Sequence, residues 1–168
     1  MSVLSRSVIA MMAVLVAACG TVEPVALMNR ADPLPDITTS GQPDEAALEG
    51  LSEDGYVAVI DLRGAGEDRG FDERGAVEGL GMSYVSLPIS GGGDLTYEQV
   101  SELDRILADI DGPVLLHCAS SNRVGALLAM RAKQHGASNE AALQLGQEAG
   151  MTSLRPVVEQ MLNEADSN

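Results

Sequence analysis

Two residues able to do chemistry together stand in "VLLHCASSNRVGAL", Val114 to Leu127: Cys118 and, after four small or polar residues, Arg123. An apolar run leads into the cysteine, and a stretch of helical character starts at the arginine. Where a strand gives way to a helix in this manner, the first helical amides lack intrahelical acceptors and carry the positive end of the helix dipole. A cysteine at that place is favoured as the thiolate, the form that attacks, and a nearby guanidinium adds a fixed positive charge. The backbone amides of Ala119, Ser120, Ser121 and Asn122 could cradle an oxyanion, with Arg123 gripping it through its fork of donors. Nucleophile, anion cradle and charge stabiliser then come from one short loop. The competing account makes Cys118 a small packed side chain at a strand end, with Arg123 paired to a neighbouring acid.

Such a loop needs a frame. "YVAVIDL" is β-branched and almost wholly apolar, which predicts a strand covered on both faces; "DITTSGQ", "SYVSLPI" and "PVLLHC" read as further strands. Helices are expected over "PDEAALEGLSEDG", from about 72 to 80, and over "LTYEQVSELDRILADIDG". In the last of these, Leu95, Val100, Leu103, Ile106 and Leu107 form one stripe, and Thr96 with Gln99 are placed as a capping box. Three more helices are expected at 123–135, 139–148 and 153–164. Strands that alternate with helices, followed by helices alone, predict an α/β domain over residues 37–166, a mostly parallel central sheet flanked by helices.

The remaining chemistry-bearing residues are few. "SGGGD" ends in Asp94, on a loop that three consecutive glycines would let close, or before a helix N-terminus whose dipole favours an acid. Asp61 and Arg63, at the end of "VAVIDLR", fall at a strand end where ligand groups gather, and read as members of an ion pair, with each other or with neighbours, rather than as catalysts. The two histidines, His117 and His135, show no metal-site spacing, so no metal is expected. Gly64, Gly66 and Gly70 do not form a dinucleotide fingerprint, and no cofactor is expected.

The chain has 168 residues and a formal net charge of −15, which speaks against nucleic acid as a partner. Its first twenty residues, "MSVLSRSVIAMMAVLVAACG", have a short n-region with Arg6, an apolar segment from Val8 to Ala18, and then Cys19. Val16-Ala17-Ala18-Cys19 resembles a bacterial lipobox. That resemblance implies a signal peptide over residues 1–18, an acylated Cys19 and a tether over 19–36 with three prolines. The expected location is the bacterial envelope, with the membrane as partner through the lipid. Gly20, rather than Asp, favours the outer membrane facing the periplasm. Processing would remove one basic residue and no acid, giving −16, and leave Cys118 as the free thiol.

"HCASSNRVGAL" after "PVLL" resembles the signature loop of the cysteine-dependent tyrosine and dual-specificity phosphatases. With "TSGQP", "VAVIDLR" and "YVSLPISGGGDLTYEQV" in similar order, residues 36–165 resemble the phosphatase-like domain of beta-lactamase hydrolase-like proteins, or of fusions to NAD kinase. The resemblance implies that Cys118 attacks phosphorus, Arg123 clamps the phosphate, Asp94 protonates the leaving group and His117 supports the thiolate. The substrate expected is a phosphorylated protein or a small phosphate ester. The chain departs from the family in two places. Its loop is C-x4-R rather than C-x5-R, a spacing that also resembles the persulfide-carrying loop of rhodanese sulfurtransferases. Val124 stands where a hydroxyl residue usually follows the arginine. Two alternatives therefore accompany the phosphatase: a rhodanese-like sulfurtransferase, and a catalytically weak anion-binding lipoprotein.

Overall fold

The computed structural model describes residues 26–167. The expected signal peptide and Cys19 lie outside the described residues, as does the first part of the expected tether, 19–25. Five strands form one sheet in the order β1-β2-β5-β3-β4: β1 Ala31–Leu34, β2 Ile37–Ser40, β3 Ala58–Asp61, β4 Ser83–Ser86 and β5 Val114–His117. All pairings are parallel except that of β1 with β2. Six helices accompany them: α1 Glu45–Glu53, α2 Glu73–Gly79, α3 Tyr97–Ala108, α4 Asn122–Gln134, α5 Asn139–Glu148 and α6 Arg155–Ala165. No described helix is long and apolar enough to cross a membrane.

Residues 31–34 correct the reading of 19–36 as an irregular tether. They form the edge strand β1, which turns through Pro35 and Asp36 and pairs antiparallel along β2. Periodicity does not reveal so short a strand, and Pro33 obscures it further. On an edge, however, a missing amide donor is tolerated, and the unpaired side of β2 draws the segment in.

Side chains along β3 and β5 alternate between two cores, as the two-residue repeat of a strand requires. Ala58 and Ile60 of β3, with Val114 and Leu116 of β5, pack towards α3, α4, α5 and α6. Val59 and Leu115 pack the other way, with Leu48 and Leu51 of α1 and Val77 of α2. The expected continuous apolar run is what a strand buried on both faces needs. The expected cap is present too: Thr96 accepts the Gln99 amide at 3.2 Å at the start of α3. Two glycines let α4 and α5 meet closely, since a Cβ on Gly125 would lie 2.3 Å from the Gly146 carbonyl oxygen.

β5 is central, bonded to β2 on one side and β3 on the other. The chain leaves a gap when it steps from β2 to β3, and fills it only when it returns as β5. Loops leaving the ends of these strands diverge there, the usual place for a site in an open α/β sheet.

Candidate active site

β5 ends at His117, and the alternation that built the cores now separates two neighbours. His117 continues the Leu115 side, towards α2, and Cys118 continues the Leu116 side, beneath α4. Both are wholly buried. The loop after Cys118 is pinned from outside: the Cys118 amide donates to the Ser40 carbonyl at 3.4 Å, the Gln42 amide to the Ala119 carbonyl at 3.3 Å, and Asn29 Nδ2 to the Ser120 carbonyl at 3.3 Å. Ser121 then takes a left-handed conformation, φ 66°, and α4 begins at Asn122. The serine makes no side-chain cap to the helix, so the first amides of α4 keep their unpaired donors. Its backbone is strained there because a Cβ crowds the following carbonyl. Gly150 gives it room: a Cβ on that glycine would lie 2.4 Å from the Ser121 Cβ.

Asn122 turns its side chain away from the loop. Its Oδ1 accepts the Thr152 amide at 2.8 Å and its Nδ2 donates to Ser153 Oγ at 2.8 Å, which ties the start of α4 to the α5–α6 turn. Of the expected cradle, Asn122 thus keeps only its backbone for an anion. Val124 is fully buried in the core, so nothing but hydrocarbon follows the arginine.

Arg123 reaches back over Cys118. Its Nη1 and Nη2 donate to Glu67 Oε1 and Oε2 at 2.5 and 2.8 Å, and Nη1 also to the Ile89 carbonyl at 2.8 Å. Glu67 accepts the Gly64 amide at 2.7 Å and Arg63 Nε at 3.3 Å. The Arg123 hydrogen bond holds the Glu67 carboxyl down to about 2, against the effect of burial. Arg123 is itself pushed above its ordinary range, first by that bond, with Cys118 acting in the same direction. The glutamate therefore braces the arginine end-on beside the cysteine.

Asp94 belongs to the loop whose root, Ile89, touches Arg123. It closes a short 3-10 turn, Gly92–Asp94, is exposed, and accepts the Ser90 amide through Oδ2 at 2.9 Å. Asp61 and Arg63 pair with neighbours rather than with each other, Asp61 with Arg69 and Arg63 with Glu67. Asp61 accepts the Arg63 amide at 2.7 Å, while its other oxygen takes Arg69 Nε and the Tyr84 hydroxyl, each at 2.7 Å. His135 pairs with Asp104 at 2.8 Å, on the surface.

His117 does not touch the thiol. Its Nδ1 lies 3.4 Å from the Cys118 carbonyl oxygen, and its Nε2 stands 2.9 Å from Glu73 Oε1 and 3.8 Å from Asp61 Oδ1. Sequence reasoning missed Glu67, Arg69 and Glu73. The one signal for Glu73 was an acid in the first turn of an expected helix, which its dipole favours; burial beside a histidine is not written in that turn. Spacing also hid the grouping of Asp61, Glu73 and His117, whose ligand-type atoms lie within 4.8 Å of one another.

Several solved structures share this architecture. A putative phosphatase of Neisseria meningitidis superposes with a TM-score of 0.68 at 18% identity, covering 79% of this chain and 98% of its own. The core catalytic domain of the PP-IP phosphatase SIW14 from S. cerevisiae, solved with citrate, gives 0.69 at 16% identity over 87% and 90%. P. aeruginosa TpbA in complex with pTyr gives 0.62 at 22% identity over 84% and 91%. At such identities the likeness is one of fold. Beta-lactamase hydrolase-like proteins of Agrobacterium fabrum and Xylella fastidiosa are 32% identical over 91 and 98 residues, 52% and 56% of this chain. The chain spans 21% and 22% of their lengths. Residues 32–152 match the family model for the phosphatase-like domain of beta-lactamase hydrolase-like proteins, and the chain belongs to that family.

Proposed function

We propose that the protein is a cysteine-dependent phosphatase acting on a phosphate ester, in the form of a phosphorylated protein or a small phosphomonoester. One observation carries the reading. The uncapped N-terminus of α4 closes the short loop that Cys118 opens, and Arg123, braced by Glu67, is brought back beside the same sulfur. Thiolate, unpaired amides and guanidinium then converge on one tetrahedral oxyanion. Cys118 Sγ attacks phosphorus and the P–O bond to the leaving oxygen breaks. Asp94, once it leaves the Ser90 amide, supplies the proton to that oxygen. Water then hydrolyses the cysteinyl phosphate and frees inorganic phosphate.

The loop length favours a second reading. Four residues between Cys118 and Arg123, with Ser121 strained to close the turn, suit a sulfurtransferase whose cysteine takes a sulfane sulfur as a persulfide. The buried Val124, which offers no hydroxyl for breaking a phosphocysteine, is compatible with that reading or with an anion binder that does not turn over. Mass spectrometry after exposure to a phosphate-ester or a thiosulfate donor separates the three. Phosphocysteine on Cys118 with phosphate release supports the phosphatase, a persulfide replaces it with the sulfurtransferase, and neither adduct leaves the binder.

The same proposal places the domain on the bacterial envelope, with residues 1–18 removed and an acylated Cys19 anchoring it to the outer membrane, as Val16-Ala17-Ala18-Cys19 and the short apolar segment before it support. Cys19→Ala protein should leave the membrane fraction. Its retention at wild-type level would overturn the anchor.

A further inference from the structure

The stretch that precedes β1 runs past the cysteine loop. Leu27 packs against the core on the α1 side of the sheet, the Met28 carbonyl accepts the Gly41 amide at 2.7 Å, and Arg30 Nη2 donates to the Tyr56 hydroxyl at 3.4 Å. Between these fastenings Asn29 takes a left-handed conformation, φ 55°. It meets two consecutive loop residues: Nδ2 donates to the Ser120 carbonyl at 3.3 Å, and the Asn29 carbonyl accepts Ser121 Oγ at 3.4 Å. One residue thus clasps the peptide unit that joins Ser120 to Ser121, about 90 positions further along the chain. Among the described residues, the non-glycine residues with positive φ are Asn29, Asp36 and Ser121, and two of them hold each other here.

A trans peptide carries its carbonyl and its amide on opposite sides. A Ser120 carbonyl held by Asn29 therefore commits the Ser121 amide to the other side, and the Gln42 amide does the same for Ser120 by donating to the Ala119 carbonyl at 3.3 Å. Among the described residues neither of these two loop amides has an acceptor of its own. The two pins differ in kind: the one on Ala119 is a backbone amide, whereas the one on Ser120 is a side chain and depends on the residue at 29. The Ser120–Ser121 unit also has an alternative. Turning that peptide plane over would carry Ser121 from φ 66° into the broad extended region that residues with a Cβ favour. It would also put the Ser120 carbonyl where the Ser121 amide had been. Sterics at Ser121 favour the arrangement that offers an anion an acceptor, and the clasp favours the one that offers it a donor.

We infer that Asn29 is a positioning residue for the anion cradle. Its side chain and its carbonyl together hold the Ser120–Ser121 peptide in the orientation that leaves the Ser121 amide free for an oxyanion at Cys118. The use of that amide rests on the proposed reading of the loop as an anion site; the orientation of the peptide does not. Asn29 belongs to the stretch expected as a tether, so the inner end of that stretch is part of the site.

Two variants of the full chain test this. Asn29→Asp keeps the size and the tolerance for a left-handed backbone but presents only acceptors to the Ser120 carbonyl. Asn29→Gly keeps the backbone freedom and removes the side chain. Protection of Cys118 from alkylation by inorganic phosphate should need about tenfold more phosphate in both, the effect of losing one donor to a charged group. The alkylation rate without phosphate, at a pH where the thiol is fully ionised, should stay at the wild-type value, a split that general loosening of the fold would not give. Crystal structures should show Ser121 left-handed in the wild type and at negative φ in Asn29→Gly. Unchanged phosphate protection in both variants, with Ser121 still left-handed, overturns the inference. Equal loss of protection and of high-pH reactivity overturns it too, since that marks a merely structural role. A peptide that turns over in Asn29→Gly, with no phosphate protection even of the wild type, sustains the hold of Asn29 on the loop and sinks the reading of the loop as an anion site.

Discussion

The two ends of the parallel strands are buried alike and built differently. At their starts, the paired row Ile37, Val114 and Ala58 is apolar. At their ends, the row Ser40, His117 and Asp61 is polar, and no less buried. Exclusion of water is enough to hold the first row together. The second is stable only while each dipole and charge has its counterpart, and it is the row from which the cysteine loop departs. Within a few residues the same strands thus change from a packed anchor to a compensated polar assembly, and the strain at Ser121 lies just beyond the second row.

The sharpest way to probe the contrast is to remove the proposed nucleophile. Cys118→Ser should lower phosphate-ester turnover by more than about a thousandfold, with the circular dichroism spectrum retained. An equal rate in the variant would leave the polar end without its assigned chemistry. At the anchor the reverse is expected. Leu115→Ala, in the core of β5, should cost about 3 kcal/mol in urea unfolding, while the thiol of the folded fraction alkylates as before.

Arg123→Lys keeps the charge and loses the fork. Protection of Cys118 from alkylation by phosphate, sulfate or vanadate should weaken by about 1–2 kcal/mol. Undiminished protection would mean that the amides alone hold the anion. Ser121→Gly removes the left-handed strain and should raise stability by about 1 kcal/mol, read as a shift in the urea midpoint. A loss instead would show that its weak 3.4 Å bond to the Asn29 carbonyl outweighs the strain.

The smallest effect concerns the brace. Glu67 is lowered from 4.5 to about 2 in the folded protein, so its contribution is complete above about 4.5 and disappears as pH falls towards 2. Its side chain is 31% exposed, and after discounting for solvent screening about 1 kcal/mol is expected. Glu67→Gln should flatten the dependence of melting temperature on pH within that window, and an unchanged slope would assign the acid sensitivity to other carboxylates.

Much of this protein is legible in its chain because the determining interactions are local. Alternation and helical stripes depend on neighbours within four residues, and they suffice for the order of strands and helices from residue 37 onward. The strand–loop–helix around Cys118 is of the same kind, since a strand end, a tight loop and an arginine on the first helical turn are set by adjacent residues. Tertiary structure alone decided that Glu67, 56 residues from Arg123 in sequence, supplies the carboxylate on its fork. It alone decided that Glu73 stands behind His117, that residues 31–34 form an edge strand, and that His117 and Cys118 face opposite sides of β5. Partners so far apart leave no period or spacing in a sequence. They are chosen when packing brings buried charges together, and each charge must then be matched by whatever the fold has placed within reach.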